Sequence, residues 1–408
     1  MCGICGIYNI QSQVPVAFRT QSDTEVIVHA YEEYGTECFA RLHGMFGLAI
    51  WDERRQRLLL ARDRPGKKPL YYTRVGGDLL FASEIKALFC DPRVSRQADL
   101  QSLADFLSVR YVPGPATLFK DIYKVQAGHW LLFERENARE ECYWDFSFEP
   151  LERHRAFATA TYLDGIRQHV RRSVAERMRK LKTAARALAE PDSQRWVNWF
   201  GIFNGSLKEQ LLASSLQAQV DMHAGRIFQR WLDEHPQRDN LSRMLNLDTK
   251  IWLPDNLLMK NDKMTMAASV EGRIPLLDEH LVAYAASIPS HLKVHGWQTK
   301  YIFKQAYADF LPQTILTRKK MGFNMPTGTW FREGQRAFIT GLLLSERMSS
   351  RGLFDHTCIE RLLRDHLDGR SNYQAQLFTL ASLELWFRVF IDPPTLDAPQ
   401  ELLAFAAQ

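Results

Sequence analysis

The sequence predicts an α+β protein in two parts. Three observations carry that expectation: a run of short apolar or aromatic segments divided by turn residues up to about residue 134, a polar stretch over 145–160, and an almost uniformly helical pattern from there to 393. A chain of 408 residues is long enough for two domains at about 100–200 residues each.

The elements follow in order. Residues 2–10, CGICGIYNI, read as a short buried strand directly after the initiator Met. In residues 24–34, TEVIVHAYEEY, Val26, Ile27, Ala30 and Tyr34 recur at helical spacing, with Ser22 or Asp23 placed to cap the helix. Phe46–Trp51, Arg57–Ala61, Leu70–Thr73 and Asp78–Ala82 read as strands of one antiparallel meander, since charged or Gly-containing turns such as Gly76-Gly77 separate them. Residues 99–110 are helical in pattern. Pro113, Gly114 and Pro115 break the chain, and strands follow near 117–125 and 128–134. Beyond the 145–160 linker, Ile166, Val170, Val174, Met178 and Leu181 make a helical stripe, and the basic residues opposite read as a solvated face. Breaks are expected near Pro254, Pro275, Pro289, Pro312 and Pro326.

Composition excludes several classes. Hydrophobic residues make up 46% and charged residues 24%, ordinary for a globular chain, and 12% aromatics argue for real cores rather than disorder. A net charge of +5 with no basic run interleaved with aromatics gives no nucleic-acid signature. The absence of a long apolar run and of a basic-then-apolar leader predicts no membrane span and a cytoplasmic protein. Of six cysteines, only Cys2 and Cys5 are close, so a zinc cluster is not expected and free thiols are.

Cys2 is the one residue whose position carries chemistry by itself. If Met1 is removed, the chain begins with a thiol and an α-amine on one residue, and the amine can take the thiol proton. The plain alternative is a small apolar residue opening a strand. The surrounding words alter that balance. MCGICGIYN resembles the opening of the class II glutamine amidotransferases. RTQSDTEVIVHAYEEYG, RLHGMFGLAIWD, LLLARDRPGKKPLYY, LLFASEIKALF and YVPGPATLFKDIYKVQAGHWL then run in the order seen in the asparagine synthase family. DTKIWLPDNLLMKNDKMTMAASVEGRIPLLD, TKYIFKQA, RKKMGFNMP and LASLELWFRVFID resemble its synthase part.

The resemblance implies an N-terminal-nucleophile αββα sandwich over 1–145, here partial. Over 160–393 it implies a synthase domain, a mostly helical remnant of an adenine-nucleotide α hydrolase-like fold. It implies a glutamine-hydrolysing asparagine synthase with glutamine, aspartate and ATP as substrates, Mg²⁺ as cofactor, and a homodimer. Cys2 would attack the glutamine amide and release ammonia, and ATP would activate aspartate for ammonia to displace AMP. Relatives acting on other carboxylates make that an alternative, as is a non-catalytic regulatory partner. Asp23 matches the acid holding the glutamine α-amino group, a role compatible with a helix cap. Lys320 matches the lysine that stabilises phosphate charge, with Lys319 as its neighbour and competitor.

Two blocks that the family uses have no match. No N-G-E segment occurs for the oxyanion hole, and the sole Asn-Gly pair is Asn204-Gly205. No S-G-G occurs for the pyrophosphate loop. These gaps predict impaired chemistry, a lost central sheet, and exposed apolar faces on helices 166–178 and 380–392.

Overall fold

A computed structural model describes residues 5–7, 23–134, 137–146, 162, 202–203, 205–223, 225–233, 239–296, 298–317 and 326–392. The strands are β1 (Cys5–Ile7), β2 (Leu42–Gly44), β3 (Gly47–Asp52), β4 (Arg57–Arg62), β5 (Tyr71–Val75), β6 (Asp78–Ala82), β7 (Ile122–Lys124), β8 (His129–Glu134) and β9 (Asn137–Cys142). The helices used below are α1 (Asp23–Tyr34), α2 (Leu100–Val109), α3 (Gly205–Leu211), α4 (Asn240–Leu247), a π-helix (Asp248–Leu258), α5 (Met259–Ala267), α6 (Glu279–Ser287), α7 (His356–Leu367) and α8 (Gln374–Phe390). The mixed α+β content matches the expectation.

The chain divides into two compact units that interleave along the sequence. The first takes the described residues up to Cys90, those from Tyr123 to Phe146, Tyr162, and those from Asp239 to Thr317. The second takes Asp91–Ile122, the described residues over 202–233, and 326–392.

In the first unit, β1 and β2 form an antiparallel ribbon with Gly6 opposite His43. Two sheets follow, ordered β3-β4-β8-β9 and β6-β5-β7. The four segments expected as one meander are therefore two hairpins in two sheets. The reason is β4, whose Leu59, Leu60 and Ala61 are wholly buried. An apolar strand covered on both faces sits centrally, so β4 pairs with β3 on one edge and β8 on the other. Leu59, Ala61 and Trp130 face Ala30 and Tyr31 of α1, whereas Leu60, Leu131 and Phe133 face Leu70 and Tyr72 by the second sheet. Side chains alternate along a strand, so Tyr71 points opposite to Tyr72 and reaches Met259.

Pro254 does not break the chain. It lies inside the π-helix, within continuous helix from Asn240 to Ala267. Proline lacks the amide proton and its ring collides with the carbonyl a turn earlier; a wider turn offers one way to relieve that collision.

The second unit is helical. Its core joins Leu103 and Leu107 of α2 to Leu211 of α3, Ile359 and Leu362 of α7, and Leu377 and Leu380 of α8, all fully buried. The exposed face expected on 380–392 is thus absent: Leu380, Ala381, Leu383 and Phe387 are buried. Other helices of the same unit cover it. The 166–178 helix lies outside the described residues.

Candidate functional site

Of the three residues read from the sequence, the structure describes little. Cys2 and Lys320 lie outside the described residues. Asp23 is the first residue of α1, with the side chain outside the description. The described geometry begins at Cys5, three residues along the chain from Cys2 and opposite Gly44 in the ribbon.

The frame behind that ribbon is built by the RDRPGKKPLYY word. Asp63 is fully buried and accepts from the backbone N–H groups of Phe46, Lys67 and Lys68 at 3.2, 2.7 and 2.8 Å. Arg62, also buried, donates to the carbonyls of Lys68, Val125 and Gly66 at 2.7, 3.0 and 2.9 Å. These two charged residues close the loop after β4 by satisfying its backbone, so their role is scaffolding. Gly66 has φ +71, and a Cβ there would meet Ala127 at 2.9 Å. Gly128 has φ +69, and a Cβ there would meet the Trp144 carbonyl at 2.2 Å. Neither position accepts a side chain without displacement.

Onto this frame the 248–279 segment is fastened by charge. Lys124 Nζ lies 2.9 Å from Asp255 Oδ1, with each side chain 7% exposed. Lys68 Nζ lies 2.8 Å from Asp262, Lys263 Nζ donates to both Glu84 oxygens at 2.7 Å, and Arg64 Nη1 lies 2.5 Å from Glu279. Burial pushes the Lys124 ammonium below its ordinary value, against the pull of Asp255. Burial raises the Tyr71 phenol to about 12 and the Asp248 carboxyl to about 7. Among the described residues one group of metal-type donors converges: His43, Glu279 and His280.

Sequence reading missed Lys124, Asp255, Asp262 and Glu279. The available signal was a charged residue inside otherwise apolar words, as in IYKV and WLPDNLL.

The second unit also buries polar groups, Glu384 and Lys208 among them. Glu384, 1% exposed, receives Arg388 Nε at 2.7 Å and also contacts Arg351. Lys208 Nζ donates to Ser108 Oγ at 3.1 Å, both buried. With no solvent access, both are packing features.

The comparisons with known proteins divide the chain differently, in sequence order rather than by unit. A glutamine amidotransferase domain model matches residues 6–144, and an asparagine synthase model matches residues 140–388. The matches define a two-part chain, an amidotransferase region followed by a synthase region. The chain belongs to the asparagine synthase family. It is similar to asparagine synthetase [glutamine-hydrolyzing] 1 of Bacillus subtilis, 22% identical over 94% of this chain and 83% of that protein. Asparagine synthetase [glutamine-hydrolyzing] 2 of the same organism is 43% identical over 28% of this chain and 16% of its own length. Amidase chyE of Penicillium rubens is 34% identical over 42% of this chain and 25% of its own length. The first alignment spans 535 residues, more than the 408 of this chain, so that relative carries residues with no counterpart here. Among the described residues no helix is long and apolar enough to cross a membrane.

Proposed function

We propose that this chain is a glutamine-hydrolysing asparagine synthase by descent in which both half-reactions are impaired. It keeps the region that would carry Cys2 as nucleophile, Asp23 as the glutamine-binding acid and Lys320 as the phosphate-binding lysine. It is a cytoplasmic protein, with domains over 1–145 and 160–393. The observation carrying the reading is the aligned span of 535 residues against a chain of 408, taken with the missing N-G-E and S-G-G words.

On the glutamine side, a thiolate at the second residue would attack the side-chain amide and form a thioester, which water cleaves to glutamate. Without the Asn and Gly of N-G-E, the oxyanion loses its donors, at a cost of about 100- to 1,000-fold in rate for each one.

On the acceptor side, the helix starts of α2, α4, α6 and α7 do not fit ATP and Mg²⁺. Helices that hold phosphate offer free backbone N–H groups at their N-termini. Here α2, α4, α6 and α7 each open on a carboxylate, Asp99, Asp239, Asp278 and Asp355, that already accepts from the first turn. These acids repel phosphate at those four helix starts, and the sequence offers no S-G-G word to replace them.

Purified chain given ATP, Mg²⁺, aspartate and glutamine should release no AMP above the enzyme-free control. Aspartate-dependent AMP release matched by asparagine would sink the proposal. A diazoketone glutamine analogue should label Cys2 no faster than a simple alkylating thiol reagent. Saturable labelling protected by glutamine would show a working glutaminase pocket. Reading the encoding DNA across the 18–19 and 178–179 junctions tests whether the missing blocks are genuine.

A further inference from the structure

One cluster of donors takes no part in the reading above. His43 lies on β2, paired with Gly6 of β1. Glu279 and His280 open α6, directly after its Asp278 cap. His43 Nδ1 and Glu279 Oε1 are in direct contact, and His280 Nε2 lies 3.8 Å from the same oxygen. The three ligand-type atoms all fall within 4.8 Å of one another. Arg64 occupies the other carboxylate oxygen at 2.5 Å, lies 3.3 Å from His43 Nδ1, and is anchored by donating to the Ala40 carbonyl at 2.8 Å.

In the tautomer protonated at Nε2, His43 Nδ1 presents a lone pair, toward which the Arg64 guanidinium can donate. A carboxylate oxygen presents lone pairs as well. A proton on Nδ1 joins the two as an ion pair; in the other tautomer a bound cation would join them, and His280 Nε2 stands beside the same oxygen. We propose that His43 Nδ1, Glu279 Oε1 and His280 Nε2 form a binding site for one divalent transition-metal ion of the Zn²⁺ class.

Two imidazoles and one carboxylate suit Zn²⁺, Co²⁺ or Ni²⁺ better than Mg²⁺ or Ca²⁺, which take oxygen ligands. Three protein donors leave the fourth tetrahedral position to water. Arg64 fixes the remaining carboxylate oxygen, as the outer partners of ligating carboxylates do. Entry is open, because the His43 and His280 side chains are 30% and 45% exposed. The two rings now stack at 5.6 Å, so shared binding requires the more exposed His280 to turn about its side-chain bonds. Arg64 offsets the charge of Glu279, which makes the site weaker than a buried structural zinc site. The bound ion joins β2, from the region matched by the amidotransferase model, to α6, from the region matched by the synthase model.

The test uses the full chain with Cys2→Ser and Cys5→Ser, so that the Cys-x-x-Cys pair cannot bind the ion. Zn²⁺ is titrated against a chromophoric chelator, and Co²⁺ binding is read by visible absorption. One saturable equivalent is expected, with a Co²⁺ ligand-field spectrum and a raised melting temperature in Zn²⁺. His280→Ala should weaken binding at least about tenfold, as should His43→Asn. No saturable equivalent overturns the proposal and leaves a proton-bridged ion pair. Unchanged affinity in both His280→Ala and Glu279→Gln overturns it as well. Should His43→Asn fail to fold, the exposed His280→Ala decides alone.

Discussion

The first unit ties together segments far apart in the chain with several charge pairs, whereas the second relies mainly on apolar contact beside one distant pair, Arg226–Asp105. Lys124 and Asp255 are 131 residues apart and meet where water is excluded. In the second unit, Leu103, Ile359, Leu377 and Leu380 belong to one apolar core, and Arg351 of the Arg351–Glu384–Arg388 group stacks on Phe387 of the same core. Buried charge is demanding in geometry and gives little net stability, while apolar burial is tolerant and gives most of it. One unit therefore gains definition of register, and the other gains strength.

The sharpest way to break that contrast is Asp255→Ala. It removes the carboxylate that the buried Lys124 ammonium faces, and should cost about 3–5 kcal/mol in chemical denaturation. Replacing the pair together, Lys124→Met with Asp255→Leu, should restore most of that loss. If the double substitution is as costly as the single one, packing rather than charge holds this seam.

Leu380→Ala comes next, at about 2–5 kcal/mol, by opening a cavity in the helical core. Only the transition of the second unit should move, read by hydrogen exchange on α2 and α7.

Acid separates the units by sign. Asp248, in the first, holds its proton up to about pH 7, whereas an unfolded aspartate releases it near 4. The native state binds the extra proton in that window, so stability contributed by this group falls as pH rises from about 4 to about 7. Asp248→Asn should flatten that slope and stabilise the chain at about pH 8. His366, in the second, is fully buried, its Nε2 has no hydrogen-bond partner among the described residues, and burial lowers its proton affinity. The unfolded chain takes up that proton first, so this contribution is lost as pH drops below about 6.5. His366→Gln should abolish the acid-side loss. The smallest effect belongs to Lys263→Ala: despite two contacts at 2.7 Å to Glu84, the pair is a third or more exposed and should be worth about 0–1 kcal/mol.

Much of the first unit was legible because strand alternation is a local signal. β3, β4, β6 and β8 fall within a residue or two of their expected places. Their assignment to two sheets was not legible, since it depends on both faces of β4 being covered. Pro254 was misread as a break because the π-helix around it is set by geometry that no residue type announces. The interleaving of units was hidden for a deeper reason. Residues 91–122 carry amidotransferase-type words yet pack with distant helices, and word order says nothing of packing partners. Of the site, residue types and order were readable; the charge seam was not, because each of its partners looks like an ordinary surface residue on its own.

The distance along the chain between Lys124 and Asp255 also governs how this protein is made. A ribosome adding about 5–20 residues per second delivers the acid roughly 7–26 s after the amine. Through that interval the sheets must tolerate an unneutralised ammonium on β7. The nascent chain cannot close this pair until the π-helix that carries Asp255 has left the exit tunnel.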